Sequence, residues 1–236
     1  MNRDELEAGV ALAVQGILRD AEQKALKNPR AVSWPQFQSG LQAALAAKMQ
    51  EVFAASGQHE AEARGDDLQH TDYIARHWAQ QQAYDLSMEI TRNTQQIVSA
   101  AIKQQNEQDL ALALGVAFSS ARASNIGVTE TTRAITAGQR FAVVSYDLKH
   151  GTTSVPFWVC EDGACKVCRP LDDKRREYWP DAFRFGPPAH PNCRCGVRYE
   201  TRRSFSRKSL ALNAEDLLSR LPSYRISLAA YFTRHG

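Results

Sequence analysis

Through most of the first 138 residues, apolar side chains recur every three or four positions, the period of helices with one buried face. From Asp4 to Lys27 the stripe is Leu6, Val10, Ala13, Val14, Ile17, Leu18, Ala21 and Ala25, and Asn28-Pro29 ends it. Ser33 caps a second predicted helix, with Pro35 in its first turn and Phe37, Leu41, Leu45, Met49 and Phe53 on one face, stopped by Gly57. Gln58 to His70 is polar and aperiodic and reads as a loop or hinge. Helical spacing resumes from about Thr71 to Gln105, as one helix or two because Asn93-Thr94 interrupts the stripe. Asn106 is a candidate cap for a helix over Glu107 to Arg122, and Ser124 or Asn125 for a short one over Ile126 to Ala137, closed by Gly138.

After Gly138 the texture changes. Phe141 to Tyr146 and Val155 to Val159 are short β-branched or aromatic runs, separated by turn residues, and read as two strands. Then follow all five cysteines and five of the nine prolines, with little periodicity, up to Cys195-Gly196-Val197-Arg198-Tyr199. The last segment opens basic and carries one predicted helix, Ala214 to Leu221. The pattern predicts an α+β chain: a mainly helical N-terminal part, then a small, irregular, β-containing knuckle. The predicted divisions are N-terminal helices at 1–57, a long helical segment at 58–138, a cysteine-rich domain at 139–200 and a basic tail with a short helix at 201–236.

At 236 residues and 43% hydrophobic, the chain can bury at least one core, so disorder throughout is excluded. The longest apolar stretch, Leu110 to Phe118, is about half the ~18 residues of a membrane span. Met1 to Glu5 lacks the layout of a secretory signal, so folding in a reducing cytoplasm is expected. The net charge of +3 is divided unevenly: residues 1–115 hold 10 Lys+Arg against 15 Asp+Glu, residues 116–236 hold 19 against 11. A basic second half suits a polyanionic partner such as nucleic acid, or is simply a solvated surface.

Cys160, Cys165, Cys168, Cys193 and Cys195 lie within 36 residues. In a reducing compartment such clustering points to metal or redox chemistry before a disulfide framework, with free buried thiols as the plain alternative. Cys165-x-x-Cys168 can present two thiolates from one turn, and Cys193-Arg194-Cys195 with His190 offers a second pair. Zinc suits such sulfur and nitrogen donors best. Cys165, Cys168, Cys193 and Cys195 form the favoured ligand set; in two others His190 replaces one of the late cysteines. A closed set would be structural and contribute roughly 10 kcal/mol or more to folding. Pro187, Pro188 and Pro191 keep His190 in extended chain, where it binds the metal or hydrogen-bonds carbonyls of the knuckle. Asp162, Asp172 and Asp173 offer, with His190, an alternative open metal site of nuclease type.

Arg194, Arg198, Arg202, Arg203, Arg207 and Lys208, interleaved with Tyr199 and Phe205, form a basic run suited to phosphates, to solvent or to an acidic partner. Upstream, Arg122 and Glu130 are eight residues apart and share a helix face. Glu130 therefore reads as an ion pair or cap, or as an active-site carboxylate.

Two groups of residues resemble the phage Mu F-like minor head proteins, also called phage head morphogenesis proteins. One is Arg122-Ala123-Ser124-Asn125-Ile126-Gly127-Val128-Thr129-Glu130, followed by Ala134 and Gly138. The other comprises Trp158, Asp162, Cys165-x-x-Cys168, Leu171-Asp172, Phe183 and Pro187-Pro188-Ala189-His190-Pro191-Asn192-Cys193-Arg194-Cys195. The resemblance covers about Tyr84 to Tyr199. Gly127 stands where the family usually has alanine, Asp173 where it has glycine, and Cys160 is additional. The resemblance implies a low-copy protein of a tailed-phage or prophage head, in the host cytoplasm during assembly. It implies portal protein and head subunits as partners, packaged double-stranded DNA nearby, and a role in head morphogenesis and DNA packaging or delivery. No membrane partner and no enzymatic activity are expected; a metal-dependent nuclease and a zinc-knuckle nucleic-acid adaptor are the competing readings.

Overall fold

The computed structural model describes residues 1–68, 70–104 and 107–203. The expected cap Asn106, the basic residues Arg207 and Lys208, and the expected helix at Ala214 to Leu221 lie outside them. Five helices come first: α1 (Arg3–Lys27), α2 (Trp34–Ala63), α3 (Thr71–Gln104), α4 (Glu107–Ala117) and α5 (Ser120–His150). Two strands follow, β1 (Thr152–Val159) and β2 (Gly196–Arg203), joined by a long connection with three single turns of 3-10 helix. The chain is thus α+β, with a helical N-terminal part and a small cysteine-rich region carrying the sheet.

The helical stripes read from sequence meet in one core. On α1, Val10, Val14, Leu18, Ala21 and Ala25 are buried; on α2, Phe37, Leu41, Leu45, Met49 and Phe53. α2 packs along both α3 and α5, and α1 along α5 and α2. A fully buried Leu or Phe in such a core contributes roughly 2 kcal/mol. Phe53 lies 5.1 Å from Trp78 of α3 and 5.8 Å from Phe141 of α5, centroid to centroid, so one ring joins three helices.

Several boundaries differ from the sequence pattern, and close helix packing explains two of them. Gly57 does not stop α2 and Gly138 does not close a helix; both lie mid-helix, where the two backbones touch. A Cβ on Gly138 would stand 2.2 Å from the Phe53 carbonyl oxygen and 2.1 Å from Ser56 Oγ, and one on Gly57 3.2 Å from the Gly138 carbonyl oxygen. Of the expected loop at Gln58 to His70, the first six residues continue α2. Phe141 to Tyr146 is helix, not strand: Phe141, Ala142 and Val143 are buried, and a short apolar run lacks a period that separates buried helix from strand. α5 is capped by Ser119, whose Oγ accepts the Arg122 N–H at 3.1 Å, not by Ser124 or Asn125, and α4 ends at Ala117 rather than Arg122. α3 passes unbroken through Asn93-Thr94, where Thr94 Oγ1 donates to the Ile90 carbonyl at 2.6 Å. The divisions after residues 57 and 138 consequently fall inside α2 and α5.

The strand expected at Val155 to Val159 is present within β1, and its antiparallel partner is β2, with Trp158 opposite Val197. A second core fills the connection: Trp158, Cys168, Leu171, Trp179, Ala189, Cys193, Cys195 and Val197. Trp158 is fully buried and meets Trp179 edge-on at 5.4 Å.

Replacing Gly138 with alanine should lower stability by about 3 kcal/mol, because the new methyl meets backbone that cannot yield. Gly16→Ala, exposed on α1 with nothing within 4 Å of a Cβ, should be neutral or slightly stabilising. Urea unfolding of the two variants beside the parent chain checks both.

Candidate metal centre

β1 delivers the chain to Cys160, whose N–H donates to Asp172 Oδ1 at 2.8 Å. Asp172 thereby closes the loop that contains Cys165 and Cys168. The turn tightens further where the Arg169 N–H donates to the Cys165 carbonyl at 3.0 Å. Asp173 has φ 54°, a left-handed conformation that glycine adopts at lower cost, and its N–H donates to the Trp158 carbonyl at 2.9 Å. On the far side of the loop, Pro187, Pro188 and Ala189 are buried and Asn192 turns the chain at φ 61°. Asparagine tolerates that conformation better than most residues, which suits it to the position between Pro191 and Cys193.

These turns bring the thiols and the imidazole together. Among the described residues, two groups have ligand atoms within 4.8 Å of one another: Cys165, Cys168 and His190, and Cys168, Cys193 and Cys195. His190 Nε2 lies 3.0 Å from Cys165 Sγ and 3.3 Å from Cys168 Sγ, and Cys168 Sγ lies 3.8 Å from Cys193 Sγ. His190 Nδ1 sits 2.7 Å from the Pro191 carbonyl oxygen. A carbonyl only accepts, so Nδ1 carries a proton, and Nε2 is the ring nitrogen that faces the sulfurs. That is the arrangement of a metal-ligating histidine oriented by a backbone acceptor. The two roles read from sequence for His190, ligand and carbonyl partner, are compatible because they use different ring nitrogens.

The donor set fits a metal ion: sulfur and nitrogen only, with no carboxylate in either group. The four-cysteine set favoured from spacing is divided, with Cys165 beside His190 and both late cysteines on the other side of Cys168. Within the second group, contacts with the Cys168 and Cys195 thiols hold the Cys193 pKa well below the usual thiol range, and the same contact with Cys193 pushes Cys168 up. Burial raises Cys165, but the N–H groups of Cys168 and Val167 and nearby His190 outweigh it, leaving Cys165 below the ordinary value. The acidic alternative is not assembled: Asp172 is occupied by Cys160, Asp162 is exposed, and neither joins a metal-capable group.

The centre is docked on α5 by Thr129 of the upstream motif and by Thr132, about one turn further on. Thr129 Oγ1 accepts the Asn192 N–H at 2.8 Å, and Thr132 Oγ1 donates to the Cys193 carbonyl at 2.6 Å. Arg3, in the first turn of α1, completes the clamp by donating to Thr132 Oγ1 and, at 2.6 Å, to the Arg194 carbonyl. Arg194 itself pairs with Glu7 at 2.8 Å and with Asp4. Both acids hold its guanidinium above the ordinary pKa. Gly127 allows this approach of α1, since a Cβ there would stand 2.8 Å from Ala11 Cβ and from the Glu7 carbonyl oxygen. Arg3, Asp4, Glu7 and Thr132 were not singled out from the sequence; only the position of Thr132 one turn after Thr129 hints at them.

Arg122 and Glu130 do not meet. Arg122 donates to Thr94 Oγ1 at 2.9 Å and to the Ala117 carbonyl, tying α5 to α3 and α4. Glu130 is 2% exposed and forms a two-point pair with Arg133, at 2.8 and 3.3 Å. Of the basic run, Arg194 is taken up by Glu7 and Asp4, and Arg198 by Asp173 at 2.8 Å and Glu200. Arg202 is exposed on β2, and Arg203 ends that strand. No family model, curated protein or solved structure matches the chain. The likeness to phage Mu F-like proteins therefore stands on the motif residues themselves.

Thr132→Val keeps the shape of the side chain but strips the Cys193 carbonyl and Arg3 of their shared partner. Loss of about 1–3 kcal/mol in urea unfolding is expected. Thr153→Val, exposed on β1, should stay within about 0.5 kcal/mol of the parent chain.

Proposed function

We propose that this chain is a minor head protein of a tailed phage or prophage, of the phage Mu F-like kind. On this reading a zinc ion fastens its cysteine-rich region to a helical body that contacts portal and head subunits. The supporting observation is that the two stretches carrying the resemblance, more than 60 residues apart in the chain, touch where Thr129 accepts the Asn192 N–H, with Thr132 beside it on the Cys193 carbonyl.

Zinc is favoured over other ions by the sulfur and nitrogen donors. With Zn–S of about 2.3 Å and Zn–N of about 2.0 Å, tetrahedral ligand atoms stand roughly 3.5–3.8 Å apart. The observed S···S separation of 3.8 Å falls in that range, and the two N···S separations, 3.0 and 3.3 Å, are shorter. The role is structural, because the connection from Arg169 to Asn192 contains only two turns of 3-10 helix after its first three residues and needs a fastening. DNA contact is the lesser part of the proposal, since Arg194 and Arg198 are neutralised within the chain. A nuclease role is disfavoured by the absence of a carboxylate from both metal-capable groups among the described residues.

Two experiments test this. Co-expressed with portal protein and head subunits from the same genome, the chain should sediment with heads and bind the isolated portal ring. Its absence from both fractions would contradict the assembly role. Separately, acidification should release zinc together with the fold of the cysteine-rich region, because bound thiolates must take up protons as the pH falls. Near-ultraviolet circular dichroism of the buried Trp158 and Trp179 reports this, and a signal indifferent to chelator at neutral pH would contradict the structural role.

A further inference from the structure

Of the five thiols, Cys165 alone is exposed; Cys168, Cys193 and Cys195 are buried, and Cys160 is intermediate. An oxidant arriving from solvent therefore meets Cys165 first. Reach then decides which sulfur can answer it. Cys165 lies within 4.8 Å of Cys168 and His190, but it belongs to no such group with Cys193 or Cys195. Both sulfurs of the Cys165-x-x-Cys168 turn face His190 Nε2, at 3.0 and 3.3 Å. The turn between them is closed by the Arg169 N–H on the Cys165 carbonyl at 3.0 Å. A disulfide needs Cβ atoms roughly 3.5–4.5 Å apart, a spacing within the span of residues three apart in one turn. The rival pair is Cys168 and Cys193, whose sulfurs are 3.8 Å apart, but these residues are 0% and 1% exposed. Proximity alone would allow either pair, and access selects the one that contains Cys165.

We propose that Cys165 is a hydroperoxide-reactive cysteine and Cys168 the thiol that resolves it, so that oxidation closes a Cys165–Cys168 disulfide. The Cys165 sulfur attacks the peroxide: an S–O bond forms, the O–O bond breaks, and one water leaves with the Cys165 proton. The Cys168 sulfur then attacks the sulfenic sulfur: an S–S bond forms, the S–O bond breaks, and a second water leaves with the Cys168 proton. Two electrons pass from the thiol pair to one hydrogen peroxide. Where the pair is held as metal-bound thiolates, solvent supplies the two protons and the ion departs as the dication. The disulfide withdraws two of the three donors of the exposed triad together, because the thiolate is the metal-binding form of cysteine. A bond between residues three apart encloses a short loop and constrains the chain little, so its effect is to open the centre. The metal release rests on the zinc reading of the cluster; the disulfide does not.

The test treats the tag-free, full-length, zinc-loaded protein with one equivalent of hydrogen peroxide. Differential alkylation with peptide mass spectrometry maps the disulfides, and a chromophoric chelator reads the zinc set free. The expected product carries a Cys165–Cys168 disulfide with Cys160, Cys193 and Cys195 alkylated as thiols, and zinc is freed in step with the bond. A phosphine reductant with added zinc should reverse both signals. Cys160→Ser should give the same disulfide as the parent chain, and Cys165→Ser should give none at Cys168. Cys165→Ser also removes a candidate ligand, so mapping on the parent chain carries the test whether or not that variant folds. A Cys168–Cys193 disulfide in place of the expected one, or five thiols still open to alkylation after the peroxide is consumed, overturns the proposal. Zinc retained after the expected bond has formed overturns the opening of the centre. If the untreated chain holds no zinc, the metal reading fails on its own, and the mapping still decides between the presence and absence of the Cys165–Cys168 bond.

Discussion

The long connection between β1 and β2 has only three single turns of 3-10 helix, and its cysteine-bearing end is held by one turn of α5. There Thr129 and Thr132 turn two hydroxyls toward the backbone of Asn192 and Cys193, and Arg3 bridges from α1 to the same spot. The Thr132 contact with the Cys193 carbonyl is buried, where an unmade partner would cost about 1–3 kcal/mol, and the other two are part-buried. The knuckle is thereby registered on the helical body to within one hydrogen-bond length. Glu130 and Arg133, buried on the same turn, satisfy each other and leave the threonines free for the knuckle.

This arrangement couples three parts distant in sequence. Arg194 lies between two metal-capable cysteines and pairs with Glu7 and Asp4 in the first turn of α1, while its carbonyl accepts from Arg3. A change at the cluster therefore reaches α1 directly, and through it the packing of α1 on α5 and α2.

Much of this was legible in the sequence. The stripes from Leu6 to Ala25 and from Phe37 to Phe53 name the faces that are buried, and the spacing of the cysteines and His190 names the cluster. What misled was glycine and short apolar runs. Gly57 and Gly138 look like helix stops in one dimension, but their meaning is a contact between α2 and α5 that no local pattern encodes. Phe141 to Tyr146 has the composition of a strand but continues α5, with Phe141, Ala142 and Val143 buried. The partner of β1 lies beyond the cysteines, and only the fold of the knuckle brings Val197 opposite Trp158. The division of the ligands into two triads is likewise invisible in spacing, since it follows from the left-handed turn at Asn192 and the orientation of the His190 ring.

The central claim is that the metal centre and the helical body form one cooperative unit through the Thr129–Thr132 turn. Hydrogen exchange of the full chain, followed by mass spectrometry with and without a zinc chelator, tests this most directly. The account predicts that chelation raises exchange at Asn192 to Cys195 and also in the first turns of α1, while the Phe37 to Phe53 face of α2 stays protected. Faster exchange confined to the cysteine-rich loop, with α1 unchanged, would contradict it.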